Sequence, residues 1–214
     1  MLIDAHTHIL SLAEDAEFTT EYGREGSLCI YRSLGQLPSH RAPTDWSPAD
    51  PVLAFPVFAK AEELGIPVMV HQAGSTRIDA RMEYARPALL DAAGRHFREL
   101  RLTIAHCGLP WVDEALFMLT KHPNFFAELS YYIATVTPEE LFRFLVHAEQ
   151  SFVPLEKLFF GTDYPGFLYD PVELRAKLLS VNHHAERVGS TPIPAAKLDG
   201  ILGGNYARMS GLLP

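Results

Sequence analysis

Two histidines stand one residue apart at the end of the first apolar run, in the stretch DAHTHIL that carries His6 and His8. In an extended strand residues i and i+2 share a face, so His6 and His8 point the same way, with Asp4 one pleat below. Three further residues of matching chemistry follow short apolar runs. His71 comes directly after IPVMV, His106 directly after RLTIA, and Asp163 directly after KLFFGT. Imidazole nitrogen suits zinc, iron, nickel or copper, and a carboxylate oxygen can complete such a site. Three histidines and one aspartate would leave room for a water, whose pKa on zinc is near ~7, so that hydroxide is available at neutral pH. Each residue alone has an ordinary explanation. A single HxH pair arises by chance in a chain with ten histidines. A histidine after a strand is often a satisfied polar cap, and the Asp of TDYP can be the acceptor of a local turn. Only their joint placement at successive strand ends points to a metal site.

The elements that would position these residues are legible from Ile66 onward. Strands are expected over 66–70, 101–105, 124–130 and 157–162, and helices over 83–100, 110–122, 137–150 and 170–187. Short helical turns close the chain over 197–212. Thr137, Pro138 and Glu140 form the N-cap, N1 and N3 of a capping box. Pro110 suits a first helical turn and Asp170 an N-cap, whereas Pro87 and Gly94 weaken the helix at 83–100. Strands alternating with helices imply parallel βαβ units, and nearly continuous apolar strands imply that both sheet faces are covered. The fold class is α/β, and a (β/α) barrel or an open doubly wound sheet both satisfy the pattern. In a barrel the carboxyl ends of the strands form the catalytic face, which would gather His6, His8, His71, His106 and Asp163.

The first third is irregular. Residues 2–9 are expected as strand one, 27–34 as a further strand and 35–49 as a loop rich in Pro, Ser and Arg. Residues 48–65 should form a helix, or two joined near Pro56, stopped by Gly65.

The composition narrows the function classes. Of the 214 residues, 48% are hydrophobic and 21% charged, an ordinary globular balance for one domain spanning 1–214. A formal charge of −8 argues against nucleic acid and anionic membrane as partners. The two cysteines, Cys29 and Cys107, have no CxxC spacing and suit a reducing, cytoplasmic setting. No apolar run approaches the ~18–20 residues of a membrane span, and no signal peptide is expected at the N-terminus.

In order, DAHTH, PVMVHQAG, IAHCGLPWVDEA, NFFAELS and LFFGTDYP resemble the amidohydrolase superfamily. The nearest branch is the amidohydrolase-related group that includes aminocarboxymuconate-semialdehyde decarboxylase and γ-resorcylate decarboxylase. ILGGNYARMSGL resembles that group's C-terminal ending. The resemblance covers residues 1–10 and about 47–212. It implies a distorted TIM-like barrel holding one divalent metal, zinc first and manganese as the alternative. By motif match the ligands would be His6, His8, His71 and Asp163, with His106 beside them handling a proton, and with Asp163 also taking the proton of the attacking water. No lysine suggests a carbamylated two-metal bridge, because Lys60 falls within an expected helix. One departure matters. Three βα units are expected between strand one and the helix near Pro48, yet residues 9–47 have room for one, or one and part of another. A shortened barrel, missing one or two βα units of the usual ~250 residues, is expected. It either closes with fewer strands or covers its open edge with a second copy, as a dimer.

Weaker candidates remain. Arg77, with Gln72 and Ser75 in the loop after His71, could fork onto a substrate carboxylate. Glu128 and Ser130 alternate on their strand, and either could face the pocket as a substrate contact. Trp111 and Glu114 are expected to pack and to be solvated, Cys107 to be an ordinary buried thiol, Asp4 to support strand one, and His183 and His184 to be exposed. Arg41 could belong to a lid. The leading expectation is a metal-dependent hydrolase of an ester, lactone or amide in a small carboxylated molecule. Non-oxidative decarboxylation of an aromatic or unsaturated acid comes second, and a shortened, inactive relative that binds only metal or a partner third.

Overall fold

The structure, a computed structural model, describes residues 47–75, 80–163 and 170–212. The expectations for strand one, for residues 27–34 and for a lid at Arg41 lie outside the described residues, as do Asp4 and Cys29. Four strands follow one another: β1 (Val68–Val70), β2 (Leu102–Ile104), β3 (Phe125–Glu128) and β4 (Leu158–Phe159). They pair in parallel and in chain order, with Val70 beside Ile104, Ile104 beside Ala127 and Ala127 beside Leu158. Parallel neighbours need a crossover, and helices supply it. Helix α1 (Phe55–Glu63) precedes the sheet, α2 (Asp91–His96) joins β1 to β2, and α3 (Val112–Lys121) joins β2 to β3. Helices α4 (Ser130–Thr135) and α5 (Pro138–Gln150) join β3 to β4. After β4 come α6 (Pro171–Leu179), α7 (Val181–Val188), α8 (Ala195–Asp199) and α9 (Asn205–Ser210). Among the described residues the sheet has four strands and does not close. None of the described helices is long and apolar enough to cross a membrane.

Strands β2 and β4 are buried along their whole length, as befits a sheet covered on both faces. Phe125, Phe159 and Phe160 are among the largest fully buried side chains and fill the space between sheet and helices. The capping box forms as read: Thr137 Oγ1 accepts from the Glu140 N–H at 3.2 Å, and Glu140 Oε2 accepts from the Thr137 N–H at 2.7 Å. Two lysines finish other helices. Lys177 donates to the carbonyls of Ile133 (2.9 Å), Ala134 (3.1 Å) and Val136 (2.9 Å) at the end of α4. Lys157 donates to Leu119 (2.6 Å) and His122 (2.8 Å) at the end of α3. These are carbonyls that a helix leaves without intrahelical partners. Burial pulls the Lys157 ammonium down to about 8.

Four expectations change. The helix over 83–100 is instead two 3₁₀ turns, Met82–Tyr84 and Pro87–Leu90, followed by the six-residue α2. Pro87 forces Arg86 into an extended backbone (φ −75°, ψ 127°), so the helix can begin only after it. Gly94 stays inside α2 because a Cβ there would lie 2.7 Å from the His122 ring and 2.8 Å from Phe125 Cζ. The helix over 170–187 breaks at Ser180, whose hydroxyl bonds back to the Lys177 carbonyl at 2.8 Å. His183 is exposed, but His184 is buried and meets the Phe142 ring at 5.5 Å. Val181, His184 and Ala185 share the inner face of α7, the i, i+3, i+4 relation of a helix. Finally, β3 stops at Glu128, and Ser130 opens α4 rather than ending the strand.

The C-terminal segment locks β4. Asn205 is buried, and its amide donates to the carbonyls of Leu155 (2.9 Å) and Leu158 (3.0 Å). The Phe160 N–H donates to the Ile201 carbonyl at 2.8 Å.

Candidate active site

In a parallel sheet all carboxyl ends lie on one edge, and the polar residues just past them face one another. His71 follows β1 directly and His106 lies just beyond β2. Glu128 is the last residue of β3, and Asp163 lies just beyond β4. Their side chains converge on the His106 ring. His106 Nε2 is 3.1 Å from His71 Nδ1 and 3.9 Å from Asp163 Oδ2. The two imidazoles meet edge to face, with centroids 4.9 Å apart. On the other side His106 Nδ1 is 2.9 Å from Ser130 Oγ. The Tyr131 ring stands edge-on to His106 at 6.2 Å. His106 is 3% exposed and Asp163 6%, whereas His71 is open to solvent, so the cluster has a wet side and a dry side.

The backbone that delivers His106 is unusual. His106 (φ 56°), Cys107 (φ 48°) and Gly108 (φ 69°) are three consecutive left-handed residues. Asp163 is left-handed too, at φ 55°. Residues with a Cβ pay roughly 1–2 kcal/mol for that conformation, and such positions gather where function fixes them. Several contacts hold the turn. The His106 N–H donates to Glu128 Oε2 at 3.2 Å, and the Leu109 N–H donates to the His106 carbonyl at 3.1 Å. The Leu109 carbonyl accepts from the Gly74 N–H at 2.7 Å, which ties the turn to the loop after His71. Gly108 is required on two counts: its φ is positive, and a Cβ would sit 2.6 Å from Pro87 Cγ and 2.8 Å from Ala115 Cβ.

Glu128, expected as a weak substrate contact, is fully buried. Its carboxylate accepts from the His106 N–H, from the Ser130 N–H, and from the Ser130 hydroxyl at 3.0 Å. Cys107 is wholly buried; burial, then the Glu128 charge, push its thiol far above the ordinary range, which keeps it a neutral thiol rather than a thiolate ligand. Glu114 is not free in solvent: it pairs with Arg86 at 3.1 and 3.4 Å, and that guanidinium lies 5.8 Å from the Trp111 ring centroid. Lys60 sits in α1 with Glu63 as its partner at 2.7 Å. His6, His8 and Arg77 lie outside the described residues. Among the described residues no group of three potential ligands close enough for one ion is assembled.

Beside His71 a groove is lined by Ala73, Ser75, Arg81, Met82 and Tyr84. Arg81 packs its guanidinium 4.5 Å from the Tyr84 ring centroid and pairs with Glu83. Gln72, 1% exposed, donates its amide to the carbonyls of Tyr84 (2.5 Å) and Arg86 (2.9 Å) and so closes the base of this loop. Arg81 and Tyr84 were not singled out from the sequence. Tyr84 lies in a stretch that reads as helix and Arg81 just before it, away from any strand end, so no spacing rule points to them.

His71 and Asp163, just beyond β1 and β4, are an imidazole and a carboxylate, donor types that a divalent ion of borderline softness takes, and they approach the same histidine nitrogen.

A comparison with curated proteins returned no match. Among solved structures, an uncharacterized TIM-barrel protein from Bordetella bronchiseptica is similar at 21% identity and a TM-score of 0.55; the match covers 90% of this chain and 63% of that one. This chain thus spans less than two thirds of that protein's length. An amidohydrolase from Burkholderia multivorans with bound zinc is similar at 17% identity and a TM-score of 0.57, over 87% of this chain and 69% of that one. Likeness at this level is likeness of fold, and with four parallel βα units it makes the architecture here TIM-barrel-like. The Amidohydrolase family model matches residues 10–212, and the chain belongs to the amidohydrolase family.

Proposed function

We propose that this chain is a metal-dependent hydrolase that opens an ester, lactone or amide in a small carboxylated molecule. One divalent ion, zinc first and manganese second, would be held by His6, His8, His71 and Asp163 in a single domain over 1–214. Such an ion, when bound, supplies Lewis acidity and brings the ionisation of water toward neutral pH. The observation that carries the reading is the approach of His71 Nδ1 (3.1 Å) and Asp163 Oδ2 (3.9 Å) to one atom, His106 Nε2.

The protein's own groups do the rest. His106 Nε2 faces the cluster and can accept a proton as a nucleophile attacks, then return it to the leaving atom. Asp163 Oδ2, 3.9 Å away, would stabilise the protonated ring by its charge. The dry side of the cluster, built by Tyr131, Ser130 and Glu128, keeps bulk water from the His106 ring. Arg81, stacked on the Tyr84 ring and paired with Glu83, lines a small groove beside His71.

The test is elemental analysis of the chain purified without chelator, beside His71→Ala and Asp163→Ala. About one zinc or manganese per chain, lost in both variants, supports the ligand set. A panel of lactones, esters and amides is then scored for hydrolysis and, with aromatic acids, for carbon dioxide release. Folded protein that takes up no zinc or manganese on titration refutes the reading. Carbon dioxide release without hydrolysis replaces it with decarboxylation.

A further inference from the structure

Ser130 Oγ stands between two groups that both need a decision about a proton. Glu128 Oε2 is 3.0 Å away on one side and His106 Nδ1 is 2.9 Å away on the other. A serine hydroxyl has one proton to donate and lone pairs to accept with, and an ionised carboxylate can only accept. Glu128 already accepts from two backbone N–H groups, that of His106 on Oε2 and that of Ser130 on Oε1, so both its oxygens act as acceptors. The single Ser130 proton must therefore point to Glu128. The 2.9 Å contact on the other side is then a hydrogen bond only if His106 Nδ1 carries the donor. A neutral imidazole with its proton on Nδ1 has its lone pair on Nε2, the atom that faces His71 and Asp163.

We propose that Glu128 and Ser130 are a positioning pair that fixes neutral His106 as its Nδ1–H tautomer and turns the Nε2 lone pair toward His71 and Asp163. The tautomer stands on the hydrogen bonds alone. Its use, as a proton acceptor already aimed at the reacting atoms, rests on the function proposed above. The same carboxylate that sets the ring's proton also holds the His106 backbone N–H at the left-handed turn, so one buried group controls both where the ring sits and which nitrogen is basic. Ser130 can serve because β3 ends at Glu128 and α4 begins at once, which lets both side chains face the same ring.

The experiment is long-range ¹⁵N–¹H correlation on the 214-residue chain labelled at histidine, as purified and after chelation. Spectra are taken across a pH series, and the tautomer is read where one ring nitrogen is pyridine-like. His106→Gln assigns the signal. The expected result in both samples is a pyrrole-like Nδ1 and a pyridine-like Nε2 for His106. Ser130→Ala should shift the tautomer ratio toward Nε2–H by about fivefold, the equivalent of one net hydrogen bond. Ser130→Thr, which keeps the hydroxyl, should restore the wild-type ratio. A wild-type His106 found as Nε2–H overturns the proposal without any variant having to fold. An unchanged ratio in a folded Ser130→Ala overturns it too. Metal content is read separately on the same samples. Loss of metal uptake with the tautomer intact would count against the proposed function and leave the positioning pair standing; the reverse result would do the opposite.

Discussion

Gly108→Ala perturbs the site while leaving every chemical group in place, and its cost can be worked from the structure. The residue has φ +69°, and an added Cβ would lie 2.6 Å from Pro87 Cγ and 2.8 Å from Ala115 Cβ. A left-handed backbone costs a residue with a Cβ roughly 1–2 kcal/mol. Forcing a methyl group into packed space costs roughly 1–3 kcal/mol more. Gly189 provides the control: its φ is +63° and nothing lies within 4 Å of its Cβ position. Gly189→Ala therefore carries the backbone cost alone, and the entropy that alanine removes from the unfolded chain is common to both and cancels. We expect Gly108→Ala to destabilise by about 2–5 kcal/mol and Gly189→Ala by about 1–2 kcal/mol. In a chain of this size each kcal/mol moves the melting temperature by about 2–4 °C, so the two variants should differ by roughly 2–12 °C. Thermal melts followed by circular dichroism, with urea unfolding as a second measure, make the comparison. If Gly108→Ala melts no lower than Gly189→Ala, the close packing of the turn against Pro87 and Ala115 is wrong, and with it the account of how His106 is held.

Removing the buried Asn205 amide should be similarly informative: Asn205→Ala strips the donor from the Leu155 and Leu158 carbonyls and should cost about 1–3 kcal/mol in urea unfolding. Thr137→Ala breaks the capping box of α5 and should cost about 1 kcal/mol by the same measure. Lys157 makes stability depend on alkaline pH. Between about 8 and the ordinary lysine value of ~10.4 the unfolded chain keeps a proton that the folded chain has lost, so this group's contribution to stability rises with pH through that window. Subtracting the profile of Lys157→Gln from that of the wild type isolates it, and a difference that stays flat or falls would show that the two carbonyls hold the ammonium charged.

The positions of His71, His106 and Asp163 were legible in the sequence because each follows an apolar run that had to be a buried strand, and parallel strands present their ends together. The conformation at His106 and Cys107 was not legible. Left-handed backbone at residues with a Cβ has no sequence signature beyond the neighbouring Gly108, and tertiary contacts, chiefly with Glu128, impose it. Ser130 was misplaced by two residues of strand, which hid its link to the His106 ring, since period-two alternation and a helix start give different facings. The burial of His184 is legible in the sequence, since Val181 and Ala185 stand at helical spacing around it. The helix at 83–100 failed where Pro87 resets the backbone, a local signal that the apolar spacing outweighed.

The clasp made by Gln72 has a consequence for how this scaffold can change. Two hydrogen bonds from one buried side chain, to the Tyr84 and Arg86 carbonyls, tie the residues just after Arg81 back to the segment just past β1. His106 and Asp163 sit on the frame's side of that clasp, His71 lines the groove, and Arg81 and Tyr84 form its far wall. The loop is thus a replaceable cartridge. On the proposed function, its sequence could drift or be exchanged with that of a relative and alter which molecule is admitted, while Gln72 keeps the mount and His71, His106 and Asp163 stay undisturbed. On that reading, selection or a protein engineer could alter what the groove admits without touching His71, His106 and Asp163.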